Sequence, residues 1–141
     1  MNAAGMSRML ELLKALCLRN EKGANFDPKT YSEFKSWLGN GTGVNMANQL
    51  SVHLACMTLN VNTGVQNGNA LIYAPGTTSA NAQGFTTLNA LMAEANALLC
   101  KKGNILSADP DRAYAAALKD ALAKGNNNLN FVQTAPCSFS F

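Results

Sequence analysis

Charge is scarce in this chain of 141 residues: Asp, Glu, Lys and Arg together make up 13%, about half of the roughly 25% usual in a soluble domain. The net charge of +3 is scattered, and Lys101-Lys102 is the one adjacent basic pair. No basic stripe can therefore follow a phosphate backbone, and nucleic acid is not expected as a partner. Histidine occurs once, at His53, so a metal site would fall to carboxylates or carbonyls, and His-based activation of a nucleophile would rest on that single residue. No apolar run approaches the roughly 20 residues that cross a bilayer, so no membrane span is expected. The cysteines form no CxxC or CxxCH pattern, which argues against a zinc knuckle, a thioredoxin-type motif and covalent haem. Neither a cofactor nor a metal ion is expected.

What the chain does have is apolar and amide side chains. Hydrophobic residues make up 48%, enough for the core of one domain of ordinary size. Eighteen asparagines stand where charged residues would normally supply the polar surface. Apolar spacing over Met6, Met9, Leu10, Leu13, Leu16 and Cys17 predicts a first helix over about 4–20, stopped by Asn20 and Gly23. Asp27-Pro28 predicts the capped start of a second helix over about 28–38, with Tyr31, Phe34 and Leu38 on its apolar face. From Met46 to Val61 two apolar stripes share one helix, the mark of a central element. The run 70–74, ended by Pro75-Gly76, predicts a brief strand. Phe85, Leu88, Leu91, Met92, Ala95, Leu98 and Leu99 mark a fourth helix, ended at Lys101-Lys102-Gly103. A fifth, capped at Asp109-Pro110, buries Tyr114, Ala117, Leu118, Ala121 and Leu122 and closes at Lys124-Gly125. The expected fold is mainly α, a compact bundle of about five helices over 1–128 with long Asn/Gly-rich loops and an extended C-terminal arm over 129–141. In that arm the residues from Cys137 alternate apolar and polar, which is strand period, and Pro136 restricts such a strand to an edge. Phe131, Val132, Phe139 and Phe141 are the apolar residues with which it would enter a groove, on its own domain or on a neighbouring copy.

Cys17, Cys56, Cys100 and Cys137 lie about 40 residues apart, an even count that fits two disulfides in an oxidising compartment, against the alternative of four buried thiols. Three connectivities are open. His53, in mid-helix between Val52 and Leu54, reads as a structural residue. Asp109 and Asp111 are accounted for by helix capping and the helix dipole rather than by a glycosidase pair. The Asn/Gly stretch 60–69 lacks the acidic ligands of a calcium loop, and Gly39 to Gly43 lacks the Lys-Ser/Thr of a phosphate loop. No catalytic residues are assigned. Met1 to Leu10 has no continuous apolar core and does not read as a signal peptide.

The strings Ala15-Leu16-Cys17-Leu18-Arg19-Asn20, Asn25-Phe26-Asp27-Pro28, Asn45 to Ala55, Thr58-Leu59-Asn60-Val61 and Gly68-Asn69-Ala70-Leu71-Ile72 resemble an uncharacterised Asn-rich domain near the C-terminus of large secreted bacterial surface proteins. The resemblance extends to the Arg112-Ala113-Tyr114 helix, the run Asn126-Asn127-Asn128 and the ending with Pro136, Cys137, Phe139 and Phe141. It implies secretion, disulfides and a non-enzymatic role at the cell surface, and it transfers no site.

Together these readings favour a non-enzymatic extracellular structural subunit that associates with copies of itself into a filament, tube or surface layer. Low charge reduces repulsion between copies, and an apolar arm can cross to a neighbour. The alternative is a monomeric adhesion or glycan-binding module that uses the Asn/Gly/Thr loops at 39–45 and 60–69, because an amide both donates to and accepts from sugar hydroxyls.

Overall fold

Among the described residues five helices form along the stretches of apolar spacing, and they pack into a mainly helical, compact body. They are α1 (Ala3–Lys14), α2 (Tyr31–Gly39), α3 (Met46–Asn62), α4 (Leu88–Lys101) and α5 (Arg112–Asn126). Strands β1 (Leu71–Tyr73) and β2 (Phe85–Thr87) pair antiparallel, with Ile72 opposite Thr86. This computed structural model describes residues 3–131. The expected arm beyond Phe131, with Val132, Cys137, Phe139 and Phe141, lies outside the described residues.

The two-sided helix is central, as its double stripe requires. Along α3, Leu50, Leu54 and Met57 are fully buried, and the helix packs against α5, α4 and α1. Each such side chain contributes roughly 1.5–3 kcal/mol of burial. Leu118 and Leu122 of α5 and Leu91 and Leu99 of α4 complete this centre. Gly125, near the end of α5, is itself buried. A Cβ there would stand 2.8 Å from both the Ile72 Cδ1 and the Met57 Cε, so the missing side chain lets α5 approach β1 and α3.

Four element boundaries differ from the periodic reading: α5 starts at Arg112, with Asp111 at its N-cap making no side-chain cap bond, rather than behind Asp109-Pro110, and three others differ for local reasons. The first helix ends at Lys14 rather than near 20, because the backbone beyond it finds tertiary partners. The Cys17 N–H donates to Asn96 Oδ1 (2.7 Å), the Arg19 N–H to Ser51 Oγ (2.9 Å) and the Phe26 N–H to the Leu18 carbonyl (2.8 Å). Leu18, which that stripe does not include, is fully buried in this non-helical stretch. The second helix starts at Tyr31 and is capped by Thr30 rather than Asp27. Thr30 Oγ1 accepts the Glu33 N–H, while the Glu33 carboxylate reaches back to the Lys29 N–H, a reciprocal arrangement close to a capping box. Phe85, expected in the fourth helix, sits in β2 with its ring 5.4 Å from that of Tyr73, and Thr87 caps α4 by accepting the Ala90 N–H.

The asparagines do much of their work inside the molecule. Asn45 is 1% exposed: its Oδ1 accepts the N–H groups of Ala47 and Ile105, and its Nδ2 donates to the Gly103 carbonyl. That one amide caps α3 and ties it to the loop before α5. Asn48, fully buried, accepts the Thr42 N–H and donates to the Arg19 carbonyl. Asn20, Asn67 and Asn81 each fold a turn by accepting the N–H two residues on.

Asn45→Ala should therefore lower the free energy of unfolding by about 3 kcal/mol, because two buried N–H groups lose their acceptor. Urea denaturation measures this, and a loss under about 1 kcal/mol would contradict the role given to the amide.

Candidate functional site

Around the outer edge of β1 the fold is least closed. Ile72 exchanges backbone bonds with Thr86, and the ladder continues on either side through Ala74 N–H to the Gly84 carbonyl and Leu88 N–H to the Ala70 carbonyl. Alternation along an antiparallel strand then turns the backbone groups of Leu71 and Tyr73 away from β2. The chain that follows α5 comes to this edge. Asn128 takes a left-handed conformation, φ +57°, and accepts from Gln66 Nε2. The Tyr73 N–H donates to the Asn130 carbonyl (2.9 Å), Asn130 Nδ2 donates to the Tyr73 carbonyl (2.9 Å), and Phe131 bridges Ile72 in antiparallel sense.

Apolar side chains surround the edge. Leu129 is 74% exposed, Val65 69%, Leu71 46% and Tyr73 45%, whereas Phe131 turns inward and packs partly buried on the core. Beside Phe131 lies a hollow of about 250 Å³, lined by Val65, Gln66, Asn67, Ala70, Asn128 and Phe131. Gln66 is 7% exposed; its Nε2 donates to the Gly125 carbonyl and to Asn128, while its buried Oε1 has no hydrogen-bond partner among the described residues.

Among the cysteines, Cys17 and Cys100 are joined as a disulfide with Cα atoms 5.1 Å apart, tying the segment after α1 to the end of α4 across 83 residues of sequence. Cys56, half-buried on α3, is a free thiol, and burial pushes its pKa up. One of the two expected bridges is thus present, while Cys56, expected in the second, is unbonded and Cys137 lies outside the described residues.

The remaining polar groups that the sequence singled out serve the fold. His53 is half-buried beside Gln49, whose Nε2 lies 3.5 Å from the imidazole Nε2; burial, joined by Lys119, pushes its pKa down against the pull of Asp120. Asp109 and Asp111 share the Lys102 ammonium at 2.8 Å each, and Asp109 also accepts the Asp111 N–H, folding the turn into α5. Those hydrogen bonds raise the pKa of Lys102 and lower that of Asp109. Of the two loops proposed for sugar binding, the first has Asn45 turned inward. In the second, Asn60 bonds to Asn126 and Asn67 to the Asn69 N–H.

Two polar positions carry no sequence signal. Gln66 is one, since an isolated Gln in an Asn/Gly loop belongs to no motif. Glu94 is the other: its carboxylate accepts the N–H groups of Thr78 and Ser79 and the Tyr114 hydroxyl (2.5 Å), clamping the loop between the strands onto α4 and α5. Burial raises the Glu94 pKa, but the hydrogen bonds from Ser79, Tyr114 and Thr78 outweigh it and hold the group below the ordinary carboxylate value. Tyr114 is pushed up to about 12 by burial and by the Glu94 carboxylate.

No helix of the described residues is long and apolar enough to cross a membrane, and no group of three or more His, Cys, Asp or Glu side chains among them could hold a metal ion. Comparison with protein-family models, with curated proteins and with solved structures found no match.

Peptide mapping of the non-reduced protein should recover Cys17 bonded to Cys100, and recovery of Cys17 bonded to Cys56 would contradict the structure. Reduction of that bridge should cost about 4 kcal/mol, the loop-closure entropy of so long a span. The Glu94 clamp has a definite pH sign. Its folded pKa lies below the unfolded value of about 4.3, so its stabilisation is complete above that pH and is lost as pH falls through the folded value. Thermal unfolding should show Glu94→Gln less stable than the parent at pH 6, with the gap closing below about pH 4. A gap that widens in acid would refute the clamp.

Proposed function

We propose that this protein is a non-enzymatic, extracellular structural subunit whose copies associate through the C-terminal arm. The observation that carries this reading is the sheet edge itself. The chain leaves the described fold there, beside an edge strand ringed by Val65, Leu71, Tyr73 and Leu129, four exposed apolar side chains in a protein with few charges. Exposed strand edges that bear apolar residues and no charged ones are sites where chains pair. Beyond this point the sequence alternates Cys137, Ser138, Phe139, Ser140 and Phe141, a segment able to lay Phe139 and Phe141 on one side. A groove of about 330 Å³ between α1, α3 and α4, lined chiefly by Leu12, Leu16, Val61 and Met92, offers an apolar surface that such a pair could enter on a second copy. A head-to-tail contact of that kind repeats into a filament unless its rotation closes a ring.

An oxidising, extracellular setting is supported by the disulfide between Cys17 and Cys100 and by the resemblance to secreted surface proteins. The glycan-binding alternative draws less support, since several of the amides it would use, those of Asn45, Asn60 and Asn67, are engaged by the protein's own backbone and side chains.

The double variant Phe139→Ser with Phe141→Ser should weaken self-association by about a hundredfold or more, the loss of two buried aromatic side chains at roughly 1.5–3 kcal/mol each. Sedimentation velocity over a concentration series reads this directly. The same oligomer distribution in the variant, with the helical circular dichroism intact, would remove the arm from the account.

A further inference from the structure

We propose that Asn40 is a site of spontaneous modification, at which the side-chain amide is converted to a carboxylate through the adjoining Gly41, while the same pair at Asn67-Gly68 is kept intact by the fold. The conversion belongs to the single chain and holds whether or not copies associate.

Asn followed by Gly is the pairing that hinders this reaction least, since glycine adds no side chain and turns easily. The sequence contains it twice, at Asn40-Gly41 and Asn67-Gly68. The backbone nitrogen of the glycine gives its proton to solvent and attacks the Asn Cγ. A nitrogen–carbon bond forms, the side-chain nitrogen leaves as ammonia, and a five-membered cyclic imide results. Water then adds to one of the two imide carbonyls and opens the ring to aspartate or isoaspartate. Both reacting groups lie in neighbouring residues, so the rate depends on how readily the fold lets them meet.

The fold separates the two pairs, although both asparagines are exposed. Asn67 is held in a turn: its Oδ1 accepts the Asn69 N–H (2.9 Å) and its carbonyl accepts the Ala70 N–H (3.0 Å). Gly68 is buried, and its carbonyl accepts the Asn89 N–H (2.8 Å). A Cβ on Gly68 would run into the Asn89 side chain, so this backbone cannot swing toward the Asn67 Cγ without disturbing α4. Asn40 lacks these restraints, and its side-chain amide makes no hydrogen bond among the described residues. The Gly41 N–H reaches the Leu38 carbonyl at 3.5 Å, the outer limit of a hydrogen bond. Ring closure requires the Asn40 ψ to leave its present 12°, and that one long contact is the bond it must break at Gly41.

The product has a structural consequence. Asn40 is the C-cap of α2, and the last turn of that helix carries no basic residue. A new carboxylate therefore meets the negative end of the helix dipole without a counter-ion, and conversion weakens α2. It also adds one negative charge, which lowers the net charge of the chain from +3 to +2.

The test incubates the folded full chain in mildly alkaline buffer and follows the Asn40 and Asn67 peptides by mass spectrometry. Conversion at Asn40 should be faster than at Asn67 by about tenfold or more, and in urea strong enough to unfold the chain the two rates should converge. An Asn40 that stays an amide, equal rates in the folded chain, or a ratio that urea leaves unchanged would each overturn the proposal. Asn40→Asp reproduces one product. It should unfold at a lower temperature than the parent at neutral pH, with the difference closing in acid as the carboxyl becomes neutral. An equal midpoint at neutral pH would overturn the effect assigned to the new charge.

Discussion

Much of this fold depends on satisfying the backbone of long loops with few charged side chains. A buried N–H or carbonyl must find a partner, and in most proteins Asp, Arg and ordered water share that duty. Here the amide of Asn carries a large share of it. Asn45 joins the start of α3 to the Ile105 backbone, Asn48 joins α3 to Thr42 and Arg19, and Asn96 joins α4 to Cys17. The two arginines with several carbonyl partners work in the same manner. Arg19 bonds to the Leu99 carbonyl at the end of α4, and Arg112 bonds to the carbonyls of Gly43, Val44 and Ile105. These side chains fix loops rather than face solvent, so a composition that suggests a sugar-binding surface belongs in good part to the architecture.

This division of labour bears on function. Polar groups committed to the backbone are not free to bind, and the charged clusters are likewise spent: Lys102 with Asp109 and Asp111, Glu94 with Tyr114 and the loop at 78–79. Apolar surface stays open at the outer edge of β1 and in the shallow groove between α1, α3 and α4. Surfaces of that kind favour contact with another chain over chemistry on a small molecule. Low net charge leaves little repulsion to oppose repeated contact between identical copies.

The helices were legible because their apolar stripes are long and regular. The double stripe of α3 announced its central place, and Leu118 and Leu122 announced the face of α5. Boundaries were less legible, for reasons that lie outside the sequence window. Leu16 and Cys17 keep helical spacing, yet Asn96 and Ser51, distant in sequence, capture the backbone and end α1 early. Phe85 suits a helix face as well as a strand; what decides it is pairing with Tyr73 across a loop of ten residues and more. The disulfide partners could not be chosen without the fold that brings Cys17 to the end of α4. Gln66 and Glu94 gave no signal, since each acquires its role from groups that only the folded chain assembles.

The central claim is that identical copies of this chain associate through apolar surface that the fold leaves uncovered. Sedimentation equilibrium of the non-reduced protein at neutral pH, with electron microscopy of the same sample, tests it most directly. The account predicts masses that grow with concentration in multiples of 14.9 kDa and particles extending in one or two regular directions. A single species of 14.9 kDa at every concentration, with no ordered assembly on the grid, would contradict it.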